Sequence, residues 1–253
     1  MQINYQIKIM KKPTIAIIID WQERGDFSAS EHFVIRSHYV KAVRLAGGTP
    51  WLIPYCQAEE IDEYLSKIDG LVVPGGQYKT PDQWYVNKGE SSPYEASPRF
   101  IFEENFIKKA LEKDLPIFGI CAGMQVMGGI LGCKLTPNIH KYLKTPLKHY
   151  GYQEDHQLVI NKNSPFANIF PQDKSYVNSN HNEAIVEISD KIEILAKADD
   201  GCIEAIVVKN KKFAVGVQWH PEFSCHEAGQ IKQYNFNFEL FKEFIRRANE
   251  DKI

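Results

Sequence analysis

No hydrophobic run in the 253 residues reaches the roughly 18 residues that a membrane-crossing helix needs, so no membrane partner is expected. Charge of one sign is also missing. Thirty Lys and Arg against 32 Asp and Glu leave a net charge of −2, which offers no basic surface for a nucleic acid. Met1 to Lys12 has lysines but no apolar core leading to a small-residue cleavage site, so a signal peptide is not expected. Cysteines are scarce and odd in number: Cys56, Cys121, Cys133, Cys202 and Cys225 are scattered and lack metal-ligand spacing. The reading is therefore a cytoplasmic protein with reduced thiols. Internal repeats, low-complexity tracts and linkers marking a second domain are all absent. Residues 1–12 read as an extension and residues 13–253 as one domain.

What is present is an alternation of strands and helices. Thr14 to Asp20 is an apolar, β-branched run that predicts a buried strand. Ser28 or Ser30 is placed to cap the next helix, which ends at Gly47-Gly48. Thr49 to Tyr55 reads as a strand, Glu59 to Ile68 as a short amphipathic helix, and Asp69 to Gly76 as a strand closed by two glycines. This rhythm predicts an α/β fold, with a mostly parallel central sheet flanked by helices. Gln77 to Ser97 interrupts it, and its Tyr78, Trp84, Tyr85 and Tyr94 read either as the walls of a cleft or as pins holding a loop to the surface. Arg99 to Lys113 returns to helical spacing. Thr136 to Glu154, with His140, Lys141, Lys144, Lys148 and His149, reads as a solvated basic loop. Shorter strands follow at 156–161, 175–177, 184–188, 192–198, 203–208 and 213–218, before a closing helix from Gly229 to Ala248.

The centre of the chain is Pro116-Ile-Phe-Gly-Ile-Cys121-Ala-Gly-Met-Gln125. Pro116 to Ile120 suits one buried strand, and helical spacing begins at Ala122. A cysteine at such a junction, with Gly119 and Gly123 two residues away on either side, resembles a nucleophile elbow. The helix N-terminus there favours thiolate. The plain alternative is a small buried apolar residue. Near the C-terminus, His220 follows the apolar strand of Gly216-Val-Gln-Trp219, and Glu222 comes after a stiff proline. A general base needs a third group to fix its tautomer, and a carboxylate two residues on supplies one if the chain bends.

With Asp69-Gly-Leu-Val-Val-Pro-Gly-Gly76, Val177-Asn-Ser-Asn-His181 and Asp200-Gly-Cys-Ile-Glu-Ala205 in the same order, the chain resembles the class I glutamine amidotransferase-like family. Within it, the chain is similar to the free-standing γ-glutamyl hydrolases of peptidase C26 type, the group typified by γ-glutamyl-γ-aminobutyrate hydrolase. The resemblance runs from about Thr14 to Ile245. It implies a flavodoxin-like domain whose C-terminal part is richer in strands, and a Cys121, His220, Glu222 triad. It also implies an oxyanion hole from the backbone N–H groups of Gly76 and Ala122, and substrate contacts from Gly75, Gln125, Ser179 and His181. The substrate implied is a small γ-glutamyl compound, cleaved through a γ-glutamyl thioester to glutamate and an amine, with no metal or cofactor. A homodimer is compatible with this reading.

Three positions depart from the hydrolase subgroup. Ala122 stands where arginine is common, Tyr78 where aspartate is common, and Asn182-Glu183 where His-Gln is common. All three bear on recognition rather than on the triad. Two other functions stay open: a glutaminase subunit supplying ammonia to a separate synthase, and a non-catalytic binding protein on the same fold.

Overall fold

The computed structural model describes residues 12–26, 28–96, 98–151, 156–170, 175–225 and 235–250. β1 (Thr14–Ile18) is buried at every position, as a strand covered on both faces must be. A small hairpin, β2 (Asp20–Gln22) and β3 (His32–Val34), precedes α1 (Ser37–Leu45). Then come β4 (Thr49–Ile53), α2 (Ile61–Leu65), β5 (Gly70–Val73), α3 (Pro98–Glu112), β6 (Ile117–Ile120) and α4 (Ala122–Ile130). The second half holds β7 (Lys134–Thr136), α5 (Ile139–Leu143), β8 (His156–Ile160), β9 (Ser175–Val177), β10 (Ala184–Glu187), β11 (Ile192–Ala198), β12 (Ile203–Val208), β13 (Ala214–Val217) and α6 (Phe236–Ala248).

One nine-stranded sheet, in the order β4-β1-β5-β6-β13-β12-β11-β8-β9, runs through the molecule. Pairing is parallel from β4 to β13 and antiparallel from β13 to β9. The α/β expectation holds, with the strand-rich C-terminal part continuing the same sheet. Alternate residues of β1 point to opposite faces. Ile15 and Ile17 join Tyr39 and Val43 of α1 and Phe241 and Phe244 of α6. Ala16 and Ile18 join Phe102 and Phe106 of α3 and Met124 and Met127 of α4. Among the described residues, no helix is long and apolar enough to cross a membrane.

Several expectations need correction. Ser28 and Ser30 cap no helix: the Ser28 hydroxyl accepts from Ser30 N–H at 3.1 Å within the turn between β2 and β3. α1 instead follows Arg36, which is extended and makes no side-chain cap. The basic loop from Thr136 is not simply solvated. It contains α5, capped where Lys141 N–H donates to the side-chain oxygen of Asn138 at 2.9 Å, and His149 within it is fully buried. β7 pairs with β10 in a separate two-stranded sheet that periodicity does not reveal. α6 begins at Phe236 after its Asn235 cap. The earlier part of the expected closing helix, residues 229–234, lies outside the described residues, as does the extension up to residue 11.

Candidate active site

The register of three central parallel strands decides what meets at the sheet's C-terminal edge. Val73 pairs with Gly119, Gly119 with Gly216, and Ile120 with Val217. The residues just beyond β5, β6 and β13 are therefore neighbours: Pro74 to Gly76, Cys121, and Gln218 to His220. Such an edge is where open α/β sheets bind ligands.

Cys121 sits between β6 and α4 with φ 52° and ψ −105°, a conformation that L residues rarely adopt. It is held there because its N–H donates to Val217 O at 2.7 Å and its carbonyl accepts from Gln125 N–H at 3.2 Å. The turn also needs Gly123, where a Cβ would lie 2.2 Å from Val73 O. The geometry is a nucleophile elbow.

His220 is fixed at the backbone by Asn178. The Asn178 amide donates to His220 O at 2.9 Å and accepts from His220 N–H at 3.0 Å. Its Nδ1 lies 2.7 Å from Glu222 Oε1 in the short turn that Pro221 opens. Burial works against a charged His220. The Cys121 sulfur and then Glu222 outweigh it, holding the imidazole pKa well above its ordinary value. Gln218 Nε2 reaches Cys121 Sγ at 3.6 Å.

Gly76 lines the cavity in front of Cys121. Its φ is +156°, and a Cβ there would stand 1.9 Å from Arg99 Nη1. Gly75 abuts Cys121 and His220, but its N–H donates to Tyr39 Oη at 3.0 Å, so that donor is not left for substrate. The loop is tied down by Arg99, whose guanidinium donates to Pro74 O at 2.7 Å, Gly75 O at 3.3 Å, Glu103 Oε1 at 2.8 Å and Asp20 Oδ2 at 3.0 Å. In sequence, Arg99 is one charge on an amphipathic helix, with nothing to mark it as buried.

The cavity is lined by Arg36, Gly76, Gln77, Tyr94, Cys121, Gln125, Tyr150, Asn180, His181, Asn182, Glu183 and His220. Of the expected substrate contacts, Gln125 and His181 line it. Ser179 does not: its hydroxyl donates to His149 O at 3.0 Å and anchors the loop from behind. Ala122 stands at the start of α4, directly after Cys121.

The cleft-wall reading of the aromatic insertion holds for Tyr94 only, and the surface-pin reading fails for the other three. Tyr78, Trp84 and Tyr85 are buried in the core beside α3 and α4, and Tyr94 alone of the four reaches the cavity. The insertion instead holds Glu183, which accepts from the Tyr85 hydroxyl and from Thr80 Oγ1 at 3.0 Å. Burial raises the Glu183 carboxyl to about 7 despite both donors. The sequence marks Glu183 only as a departure, and it offers no sign of Arg36.

Burial pushes the other thiols up, Cys56 to about 11 and Cys225 to about 12, with Cys133 raised and Cys202 well above the ordinary value. Nothing near Cys202 in sequence is cationic, yet in the fold it lies beside His149 and His181. Glu204 and Asp200 are also close and oppose its ionisation. Limiting iodoacetamide is expected to label Cys121 first, checked by peptide mapping. Prior labelling of another cysteine would remove the elbow's chemical significance.

The peptidase C26 family model matches residues 13–222. A glutamine amidotransferase-like protein of Rickettsia prowazekii is 29% identical, over 94% of this chain and 98% of that protein. Gamma-glutamyl-gamma-aminobutyrate hydrolase PuuD of Escherichia coli K12 is 29% identical, over 94% of each. Among solved structures, one described as a GMP synthase subunit protein from Thermoplasma acidophilum superposes with a TM-score of 0.61 over 96% of each chain. Its 17% identity makes this a likeness of fold alone. A strand-to-helix elbow, the order of the motifs and a family match over most of the chain agree: this protein belongs to the peptidase C26 family.

Proposed function

We infer that the chain is a cysteine hydrolase of small γ-glutamyl amides and that Cys121, His220 and Glu222 carry the reaction. The observation that carries this reading is the elbow cysteine facing a histidine whose other nitrogen is 2.7 Å from a buried carboxylate. Cys121 attacks the γ-carbonyl carbon, and its proton resides on His220, oriented by Glu222. The oxyanion is met by the N–H groups of Gly76 and Ala122. Collapse of the tetrahedral intermediate breaks the C–N bond, and His220 gives its proton to the leaving amine. Water, activated by His220, then cleaves the thioester to glutamate and regenerates the thiol. No step calls for a metal or cofactor.

Recognition of the glutamyl part follows from charge. An α-amino acid end carries one ammonium and one carboxylate, and the cavity offers Glu183 and Arg36. Glu183 is ionised only above its pKa of about 7. KM is therefore expected to rise as pH falls through that value, because the neutral carboxyl loses its attraction for the ammonium. Glu183→Gln is expected to remove this inflection and to raise KM more than it lowers kcat, read from initial rates between pH 5.5 and 8.5, a range of about three units around the inflection.

The deciding experiment measures glutamate released by the chain alone from γ-glutamyl derivatives of small amines, γ-aminobutyrate among them, with glutamine as comparator. The expected result is turnover of the amides in preference to glutamine, without added nucleotide. Activity on glutamine alone, and only with a second protein present, would favour an ammonia-supplying subunit. No activity on any member of the panel would leave a non-catalytic binding protein.

A further inference from the structure

Behind the cavity wall, the fold gathers a second set of reactive side chains that the proposed hydrolysis does not use. His149, His181 and the neighbouring Cys202 and Glu204 come from three separate stretches of the chain and are all buried, with one donor atom of each within 4.8 Å of the others. His156 stands beside them, its Nδ1 3.9 Å from Glu204 Oε1. Their separation in sequence explains why spacing predicts no metal site.

The hydrogen bonds around the cluster fix where its lone pairs point. His149 Nε2 is 2.9 Å from Asp200 Oδ2, His181 Nδ1 is 3.0 Å from Glu183 O, and His156 Nε2 is 2.9 Å from Lys148 O. All three partners only accept, so each of these ring nitrogens carries its proton outward. The inner nitrogens of neutral rings then present lone pairs to Glu204, itself an acceptor. His149 Nδ1 and His181 Nε2 each lie 3.6 Å from Glu204 Oε1. Neither inner nitrogen has a hydrogen-bond partner, and neither does either oxygen of Glu204. Buried acceptors facing one another at such distances are costly unless a proton or a cation joins them.

We propose that His149 Nδ1, His181 Nε2, Cys202 Sγ and Glu204 bind one divalent cation of the zinc type. Mixed nitrogen, sulfur and oxygen donors select such an ion over magnesium or calcium, which take oxygen. Bonds of about 2.0–2.1 Å place tetrahedral nitrogen and oxygen ligands about 3.3 Å apart, so the 3.6 Å separations need only slight closure. The thiolate and carboxylate balance the two positive charges, and the Asp200–His149 pair is the outer carboxylate contact usual for metal-bound histidine. His181 also borders the active cavity, which supplies an entry path. Four protein ligands leave no open position, so the ion is structural. It ties β12 to the 149 and 181 segments, which carry Tyr150, Asn180, Asn182 and Glu183 into the cavity wall.

The test uses the full chain, stripped by chelator and refilled with zinc or cobalt(II). Mass spectrometry for metals is expected to find one ion per chain. Cobalt should give visible bands of a tetrahedral site and a near-ultraviolet thiolate band. A hundredfold excess of zinc over its Kd should raise Tm by about 5–10 °C. Cys202→Ser should lose the thiolate band while keeping an ion, and Glu204→Gln should lose stoichiometric binding. Should Glu204→Gln fail to fold, the Cys202→Ser spectrum decides. A folded, stripped protein that takes up no ion and shows no Tm change would overturn the proposal, leaving a protonated histidine cluster in its place. A cobalt spectrum unaltered by Cys202→Ser would overturn it as well.

Discussion

Cys121→Ala is expected to lower glutamate release by at least about 10⁴-fold, because no other group can form the thioester. The fold should survive, since the side chain lost is small and lies against the cavity. Glu222→Gln keeps the base and weakens only its orientation, so its loss should be smaller. The elbow adds a sharper expectation. At φ 52° and ψ −105°, position 121 carries backbone strain that alanine retains and glycine relieves. Cys121→Gly should therefore be the more stable of two inactive proteins, by about 1 kcal/mol, or roughly 2–4 °C in Tm for a chain of this size. Thermal melts and the glutamate assay on both variants check this. An active Cys121→Ala protein would end the hydrolase reading, and equal melting points would mean the elbow stores no strain.

The second large effect is expected far from any substrate. Arg99→Met removes a fully buried guanidinium and leaves Pro74 O, Gly75 O and Glu103 without their donor. Breaking a buried pair from one side costs about 3–5 kcal/mol, which for this length lowers Tm by roughly 10 °C. Part of the cost is softened at Glu103, whose carboxyl burial already raises to about 7 against the pull of Arg99. Without Arg99 the Glu103 carboxyl loses the group that lowers it and holds its proton to higher pH, sparing the variant an unpaired charge, so its deficit relative to wild type should be smallest below about 7 and grow as pH rises above it. kcat should fall as well, because the carbonyls released belong to the loop that presents Gly76. Arg99→Lys keeps the charge without the planar fork and should recover stability more than activity. Melting curves between pH 5.5 and 8, about one unit or more on either side of the Glu103 value, together with steady-state rates, separate the two effects. A variant as stable as wild type would show that Arg99 does not hold the loop.

The elements that set the active edge were legible because their signals are local. Apolar runs mark β1, β5, β6 and β13, and glycines at 75, 76, 119 and 123 mark the turns that leave them. What stayed hidden depends on tertiary partners. The three-residue strands β2, β3 and β7 show too little alternation to be seen, and of that length only β9 is anticipated. Ser28 looks like a helix cap because caps and turns draw on the same side-chain chemistry. His149 reads as part of a solvated basic stretch, since nothing beside it reveals Asp200 51 residues away. The aromatic insertion misleads for a related reason: Tyr78 and Tyr85 bury their rings in the core, where the Tyr85 hydroxyl finds Glu183.

The place of β13 in the sheet has a consequence for when the protein can first act. Among the described residues it is the last strand synthesised, yet it lies between β6 and β12, and Gln218 meets Cys121 across 97 residues. A nascent chain that has completed β6 and α4 already holds Cys121 and the Gly75–Gly76 loop, but lacks His220. Closing so distant a contact is slow compared with forming the local helices. Until β13 enters, the half-made sheet exposes two unpaired edges at its centre, which neighbouring chains can occupy. Acquisition of the enzyme's reactivity and escape from aggregation are thus one kinetic event, and the alkylation rate of Cys121 during refolding would time it.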